Sequence, residues 1–194
     1  QKTTSKSPRS TVGTITEIYD FLRLLYARAS DAFSYNTGEK MVSYSDDKIQ
    51  ELILNDFENK KISILAPVVR SRKGHYRELF QQIAKQGFVK VRVDGEVKDI
   101  VSGMKLDRYK NHDIEIVIDR LKISAESALD KRLSESIITA MYHGDDVLLI
   151  LDNETNNTRY FSRSLMCQSS GISYPNPEPN NFSFNSPKGM CTKF

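Results

Sequence analysis

The chain has 194 residues, of which 39% are hydrophobic and 27% charged, and its formal net charge at pH 7 is +3. This is the composition of an ordinary globular protein, and the length allows one large domain or two small ones. No apolar run approaches the roughly 18 residues of a membrane span, the polar first ten residues do not resemble a signal peptide, and two cysteines are too few for a disulfide scaffold, so we expect a cytoplasmic protein with no membrane contact.

The charges are unevenly distributed along the chain. Residues 60–98 contain ten lysines or arginines and three acidic residues, a balance of +7, so the remainder carries −4. Such a basic stretch attracts phosphate groups or an acidic protein surface.

Two helices, a strand and a basic loop are predicted in the first part of the chain. Thr14 and Glu17 fit a capping box at a helix start, and Ser45 is a suitable N-cap for a second helix. The alternation after Lys60 favours a strand, which we expect to stop before Pro67. The elements are a helix over 15–29, a helix over 45–57, a strand over 61–66 and a basic loop over 70–75.

The pattern continues as a mixture of strands and helices. Gly87 is a good residue to follow a helix, and Asp94-Gly95 is a strong hairpin turn. Four of the six prolines lie beyond residue 172, which indicates an irregular tail. The predicted elements are a helix over 76–86, strands over 88–93, 96–100 and 113–123, a helix over 128–142, and strands over 147–151 and 158–161.

Several separated blocks of the chain resemble UvrA, the damage-recognising subunit of bacterial nucleotide excision repair, and they occur in that family's order. The chain begins at Gln1 rather than Met, so we expect an internal piece of a longer protein. The blocks are QKTT (1–4) with PRSTVGTITEIYD (8–20), LAPVV (65–69) with RKG (72–74), QGFV (86–89) with VRVDGE (91–96), IEIVIDRL (114–121), and FSFNSP (182–187) with Gly189.

The resemblance implies a role in a larger machine. UvrA proteins are homodimeric ABC-type ATPases that use ATP and Mg, find damaged DNA and load UvrB. No G-x-x-x-x-G-K-[ST] phosphate loop occurs in this chain, so the piece itself is expected not to be an enzyme and to need no cofactor. Gln1 matches the family's Q-loop glutamine, which senses nucleotide, but is not expected to do so in isolation.

The resemblance also implies an α+β fold with a particular division. Residues 41–123 are expected to form a small UvrB-binding module. Residues 1–40 and 124–194 are expected to form a second, discontinuous α/β lobe from the flanking ATP-binding and signature regions.

The basic stretch supplies the candidate contacts with UvrB. Arg is favoured over Lys because its guanidinium pairs with a carboxylate through two hydrogen bonds. The candidate partner-binding residues are Arg70, Arg72, Lys73, Arg77, Lys90, Arg92, Asp94 and Glu96.

Two other functions compete with protein docking. A basic sheet face could bind DNA phosphates directly and non-specifically, although few aromatic residues are available for base stacking. The string Asp94, Glu96, Lys98 faintly suggests a metal nuclease, but it also fits solvated charges around a turn. His75, His112 and His143 show no ligand spacing and are interpreted as surface residues.

Zinc is not expected at the two cysteines. In the family's pattern each cysteine would begin a C-x-x-C half-site. The second cysteine of each half-site is missing, because Ser170 takes its place after Cys167 and Phe194 takes its place after Cys191. Two thiolates cannot complete the four-ligand shell of a structural zinc ion.

Overall fold

A computed structural model describes residues 12–124 and 127–190, which form two compact units. The first unit combines the described residues up to Phe33 with those from Pro175 onward, and the second runs from Ser34 to Tyr174. Within the described ranges, no helix has both the length and the apolar character needed to cross a membrane.

The first unit is helical. Its elements are α1 (Val12–Ile15), α2 (Ile18–Ala29) and a short 3-10 helix (Pro179–Phe182). The prediction of one helix starting at a Thr14 capping box is wrong, because Thr14 lies inside α1 and the left-handed backbone of Glu17 (φ 62°) separates α1 from α2. The hydroxyl of Tyr19 donates to the carbonyl of Phe182 (2.5 Å), and its ring lies 5.0 Å from that of Phe184. These contacts hold part of the tail against α2.

The second unit is a six-stranded antiparallel sheet with helices, so the predicted α+β class is confirmed. The order of the strands across the sheet is β3-β2-β4-β1-β5-β6. The strands are β1 (Lys61–Lys73), β2 (Lys90–Val93), β3 (Glu96–Asp99), β4 (Asn111–Lys122), β5 (Val147–Asp152) and β6 (Thr158–Ser162), with a separate pair formed by β7 (Leu165–Met166) and β8 (Ser173–Tyr174). The helices are α3 (Asp46–Asp56), α4 (Arg77–Lys85) and α5 (Ser127–His143).

The three helices of this unit cover one face of the sheet. Their apolar residues at helical spacing pack on the alternate residues of the strands to form the main core. Ser45 accepts a hydrogen bond from the Lys48 N–H (3.4 Å), as expected for the N-cap of α3. The large, fully buried members of the core include Ile49, Ile53, Ile62, Ile64, Phe80, Ile83, Ile114, Ile116, Leu133 and Phe161.

Strand β1 continues past Pro67, so the prediction that it stops there is wrong. The pairing of β1 with β5 ends at Leu65, whereas its pairing with β4 continues to Lys73. Pro67 therefore lies where β1 has a neighbour on one side only, which is the setting in which sheets tolerate proline. As a consequence, Arg70 and Arg72 belong to a strand rather than to the predicted loop.

The sheet also extends beyond the predicted module limit at residue 123. Strand β5 pairs with β1, and β6 pairs with β5, although both lie in the region predicted to belong to the other lobe. The compact unit that contains this sheet runs from Ser34 to Tyr174, so residues 41–123 lie within it, and the division into a UvrB-binding module and a second lobe stays a prediction.

Candidate partner-binding surface

The face of the sheet opposite the three helices carries two of the predicted arginines. A small apolar group, Leu65, Val117, Leu149 and Leu151 with Tyr160 packed against it, forms the base of this face. Arg92 lies beside this group, because alternation along β2 buries Val91 and Val93 on the helical side.

Arg92 faces Glu115 across the ladder between β2 and β4. The two residues are directly paired in register, and Arg92 Nη1 lies 3.6 Å from Glu115 Oε1. This distance is too long for a hydrogen bond. Arg92 Nε donates instead to the carbonyl of Gly95 (3.3 Å), in the turn between β2 and β3. A guanidinium has five N–H donors, so the Arg92 side chain has more donors than the described residues provide acceptors for.

Arg70, on β1, lies on the same uncovered face as Arg92 because β1 contains a bulge. Ser71 has a left-handed backbone (φ 46°), and its N–H donates to Asp113 Oδ1 (2.7 Å) where the register shifts. Arg70 Nη1 donates to the carbonyl of Gly171 (2.7 Å), and its guanidinium lies 5.6 Å from the centre of the Tyr160 ring. The bulge thus directs the guanidinium of Arg70 toward the base of the open face.

These residues enclose a cleft of about 390 Å³, which we call the Glu115 cleft. Only 7% of Glu115 is exposed, and its Oε2 is buried without a hydrogen-bond partner in the described part of the chain. Burial raises the pKa of Glu115 to about 7, against the opposing effect of Arg92. The cleft is lined by Pro67, Arg70, Arg92, Gly95, Asp113, Glu115, Leu149, Thr158, Tyr160, Ser170 and Ile172.

A second group of predicted cations surrounds the loop after β1. Arg72, Lys73 and Arg77 are all exposed there. The hydroxyl of Tyr76 donates to the carbonyl of Arg72 (2.8 Å), and a Cβ on Gly74 would lie 2.9 Å from the Tyr76 ring. Tyr76 therefore fixes the loop, and the loop presents its cations at the end of β1.

The remaining predicted residues are engaged within the fold. Lys90 pairs with Asp99 (2.5 Å), and Glu96 pairs with Lys98 (2.9 Å). Asp94 Oδ1 accepts the N–H of Asp113 (2.9 Å), while its Oδ2 lies 2.7 Å from His112 Nδ1. In the described ranges, no group of three or more His, Cys, Asp or Glu side chains could hold a metal ion.

His112 is not the surface residue that the sequence suggested. It is 6% exposed, because β4 places it under the loop before it, where Nε2 lies 2.8 Å from the carbonyl of Asp107. The hydrogen bond to Asp94 raises the pKa of His112 above its ordinary value of 6.5, despite burial.

Comparison with known proteins gives the family. Residues 45–154, more than half of the chain, match the family model described as the UvrA interaction domain. The chain belongs to this family. It is 43% identical to the UvrABC system protein A of Methanothermobacter thermautotrophicus, 44% identical to that of Lactococcus lactis and 42% identical to that of Thermus thermophilus. Each match covers 98% of this chain but only 20% of the relative, so the chain spans about a fifth of the length of these relatives.

The predicted nucleotide-sensing glutamine and the two cysteines lie outside the matched region. Gln1, Cys191 and Phe194 lie outside the described residues. Cys167 is fully buried, and its Sγ contacts Thr37 Oγ1 (3.2 Å) and Glu39 Oε2 (3.3 Å). The thiol is thus surrounded by the oxygen atoms of its own fold.

We expect the purified chain to contain no stoichiometric zinc, because Ser170 and Phe194 replace two of four ligands and a hydroxyl is a poor zinc ligand. Elemental analysis of protein prepared without chelators measures this directly. One zinc per chain that disappears in the Cys167→Ala variant would contradict the prediction.

Proposed function

We propose that this chain is a protein-docking module through which a UvrA protein of nucleotide excision repair binds UvrB, without catalysing a reaction itself. The family supports this role, since the matched model is an interaction domain. The observation that carries the proposal is the arrangement of arginines on the uncovered face and at the end of β1. Arg70 and Arg92 line one cleft, and Arg72, two residues after Arg70 on β1, is exposed.

The charges that serve the fold differ from those available to a partner. Lys90, Asp94 and Glu96 already have partners of opposite charge within the unit. Arg72 and Lys73 are exposed cations next to a loop that Tyr76 holds in place. An acidic partner surface would gain charge-assisted hydrogen bonds there, with little ordering of the backbone.

Reversing both exposed charges should weaken docking. We expect the double variant Arg72→Glu, Lys73→Glu to bind UvrB about tenfold or more weakly and with a smaller dependence on salt, since rim charges govern association and its ionic-strength dependence. Isothermal titration at about 50 and about 200 mM salt measures both quantities.

The matched control is Lys131→Glu, which reverses a cation on α5 whose side chain is 86% exposed on the helical side of the unit. It should bind as the unaltered chain does. Equal affinity of the double variant and the control, with both folded, would exclude the exposed end of β1 as the docking surface.

Direct DNA binding is the second candidate. The same exposed cations would attract phosphates without sequence preference. A competition experiment separates the two functions. If duplex DNA displaces UvrB from the chain, and the double variant binds neither UvrB nor DNA, the same cations bind both partners. If DNA does not displace UvrB, the result favours protein docking as their function.

A further inference from the structure

We propose that the Glu115 cleft is a binding site for a single carboxylate, supplied by an aspartate or glutamate side chain of the docked partner. This inference rests on the proposed function for the identity of the partner. It deepens that function by naming the chemical group that enters the cleft and the residues that receive it.

The first argument is the set of hydrogen-bonding groups left unused around the cleft. Arg70 and Arg92 each donate to one backbone carbonyl, and neither makes a hydrogen bond to a carboxylate in the described part of the chain. A guanidinium has five N–H donors in a planar fork, so several remain free to point at a ligand. A carboxylate matches this fork through two parallel hydrogen bonds.

The second argument is the unpartnered acid on the cleft wall. A buried polar atom without a partner costs free energy, and such atoms are rare in folded proteins. Glu115 Oε2 is one of them. When Glu115 carries a proton it becomes a donor, and a ligand carboxylate is the group that would accept that hydrogen bond.

The third argument separates a carboxylate from a phosphodiester. Asp113 and Glu115 both line the cleft, so a strand of phosphates would meet two acids along with the two arginines. A carboxylate shares a proton readily with Glu115, because the two groups have similar intrinsic pKa values. A phosphodiester remains ionised throughout and cannot take part in this exchange.

The proton couples ligand binding to pH. The ligand prefers the protonated form of Glu115, because an ionised Glu115 would repel it. The pKa of Glu115 is raised to about 7, so the protonated form, which binds the ligand, is abundant below that pH and scarce above it. If the bound state keeps the proton throughout, affinity falls about tenfold between about pH 6 and about pH 8.

The test uses the chain alone and two small probes, which keeps it independent of UvrB. Acetate is titrated as the carboxylate and dimethyl phosphate as the phosphodiester, while NMR follows the Nε–H signals of Arg70 and Arg92. We expect acetate to shift both signals saturably and to bind about tenfold more tightly at about pH 6 than at about pH 8. Dimethyl phosphate should bind more weakly than acetate near pH 6.

Two variants make the outcome specific. Glu115→Gln keeps a donor at every pH, so its affinity for acetate should lose the dependence on pH while remaining measurable. Glu135→Gln, on the exposed side of α5, should behave as the unaltered chain does. Equal affinity for the two probes, or an unchanged pH dependence in Glu115→Gln, overturns the proposal. A failure of the chain to bind UvrB, with acetate binding intact, would instead overturn the proposed function.

Discussion

The Gly144→Ala variant is expected to lose about 3 kcal/mol or more of unfolding free energy, because the added methyl group overpacks a site with no room to relax. Gly144 lies between α5 and β5, is buried, and donates its N–H to the carbonyl of Ala140 (2.8 Å). A Cβ at this position would lie 2.0 Å from the carbonyl oxygen of Val147 and 2.9 Å from Pro67 Cδ. Backbone and ring atoms cannot rotate away as a flexible side chain would, so the connection between helix and sheet must shift.

The control for this variant is Gly103→Ala. Gly103 has a left-handed backbone (φ 78°) with nothing within 4 Å of an added Cβ, so it measures the conformational penalty without a clash. That penalty is about 1–2 kcal/mol. Urea unfolding of both variants gives the comparison. If Gly144→Ala loses no more free energy than Gly103→Ala, the close packing around Gly144 does not limit stability.

The elements that the sequence predicted well are those defined by local patterns. Helix α3 follows from the apolar spacing after Ser45, and the β2–β3 hairpin follows from Asp94-Gly95, whose positive φ angles of 51° and 88° fit a tight primed turn. Both depend on residues close together in the chain. The end of β1 could not be predicted in this way, because whether a strand tolerates Pro67 depends on how far β5 extends beside it.

The candidate site was predicted only in part for the same reason. Arg70 and Arg92 were both among the predicted contacts, but they are 22 positions apart and line one cleft only because β4 lies between their strands. Glu115 was missed, since a charged residue in an alternating strand indicates a solvent-exposed face. The segment that contributes Ser170 and Ile172 to the cleft comes from a distant part of the chain, and no local pattern indicates its approach.

The pairing of His112 with Asp94 is expected to make stability depend on pH. Both imidazole nitrogens face acceptors: Nδ1 lies 2.7 Å from the Asp94 carboxylate, and Nε2 lies 2.8 Å from the Asp107 carbonyl. A carbonyl can only accept, so Nε2 carries a hydrogen, and Nδ1 donates to the carboxylate when the ring is charged. The buried ring is therefore stabilised as an imidazolium.

The directions of the two pKa shifts set the pH range. The pKa of His112 is raised above 6.5 in the folded protein. Its contribution to the free energy of unfolding is therefore fully present below pH 6.5 and is lost as the pH rises through this raised pKa. For Asp94, burial opposes ionisation, but hydrogen bonds from His112 and the Asp113 N–H lower the pKa below 3.8. Its contribution is present above pH 3.8 and is lost as the pH falls through the lowered value. The pair therefore stabilises the fold most between these two limits.

Replacing His112 by Ala should cost about 2 kcal/mol near pH 6, the range for hydrogen bonds to charged groups, and less at alkaline pH. A double-mutant cycle with Asp94→Asn isolates the pair, because each single variant removes the same interaction. The cycle matters for function as well as for stability. Asp94 anchors the turn that contains Gly95, and Gly95 accepts the hydrogen bond from Arg92 in the Glu115 cleft. Losing the pair should therefore loosen one wall of that cleft. A coupling energy that is equal at about pH 6 and about pH 9 would show that the charge on His112 plays no part.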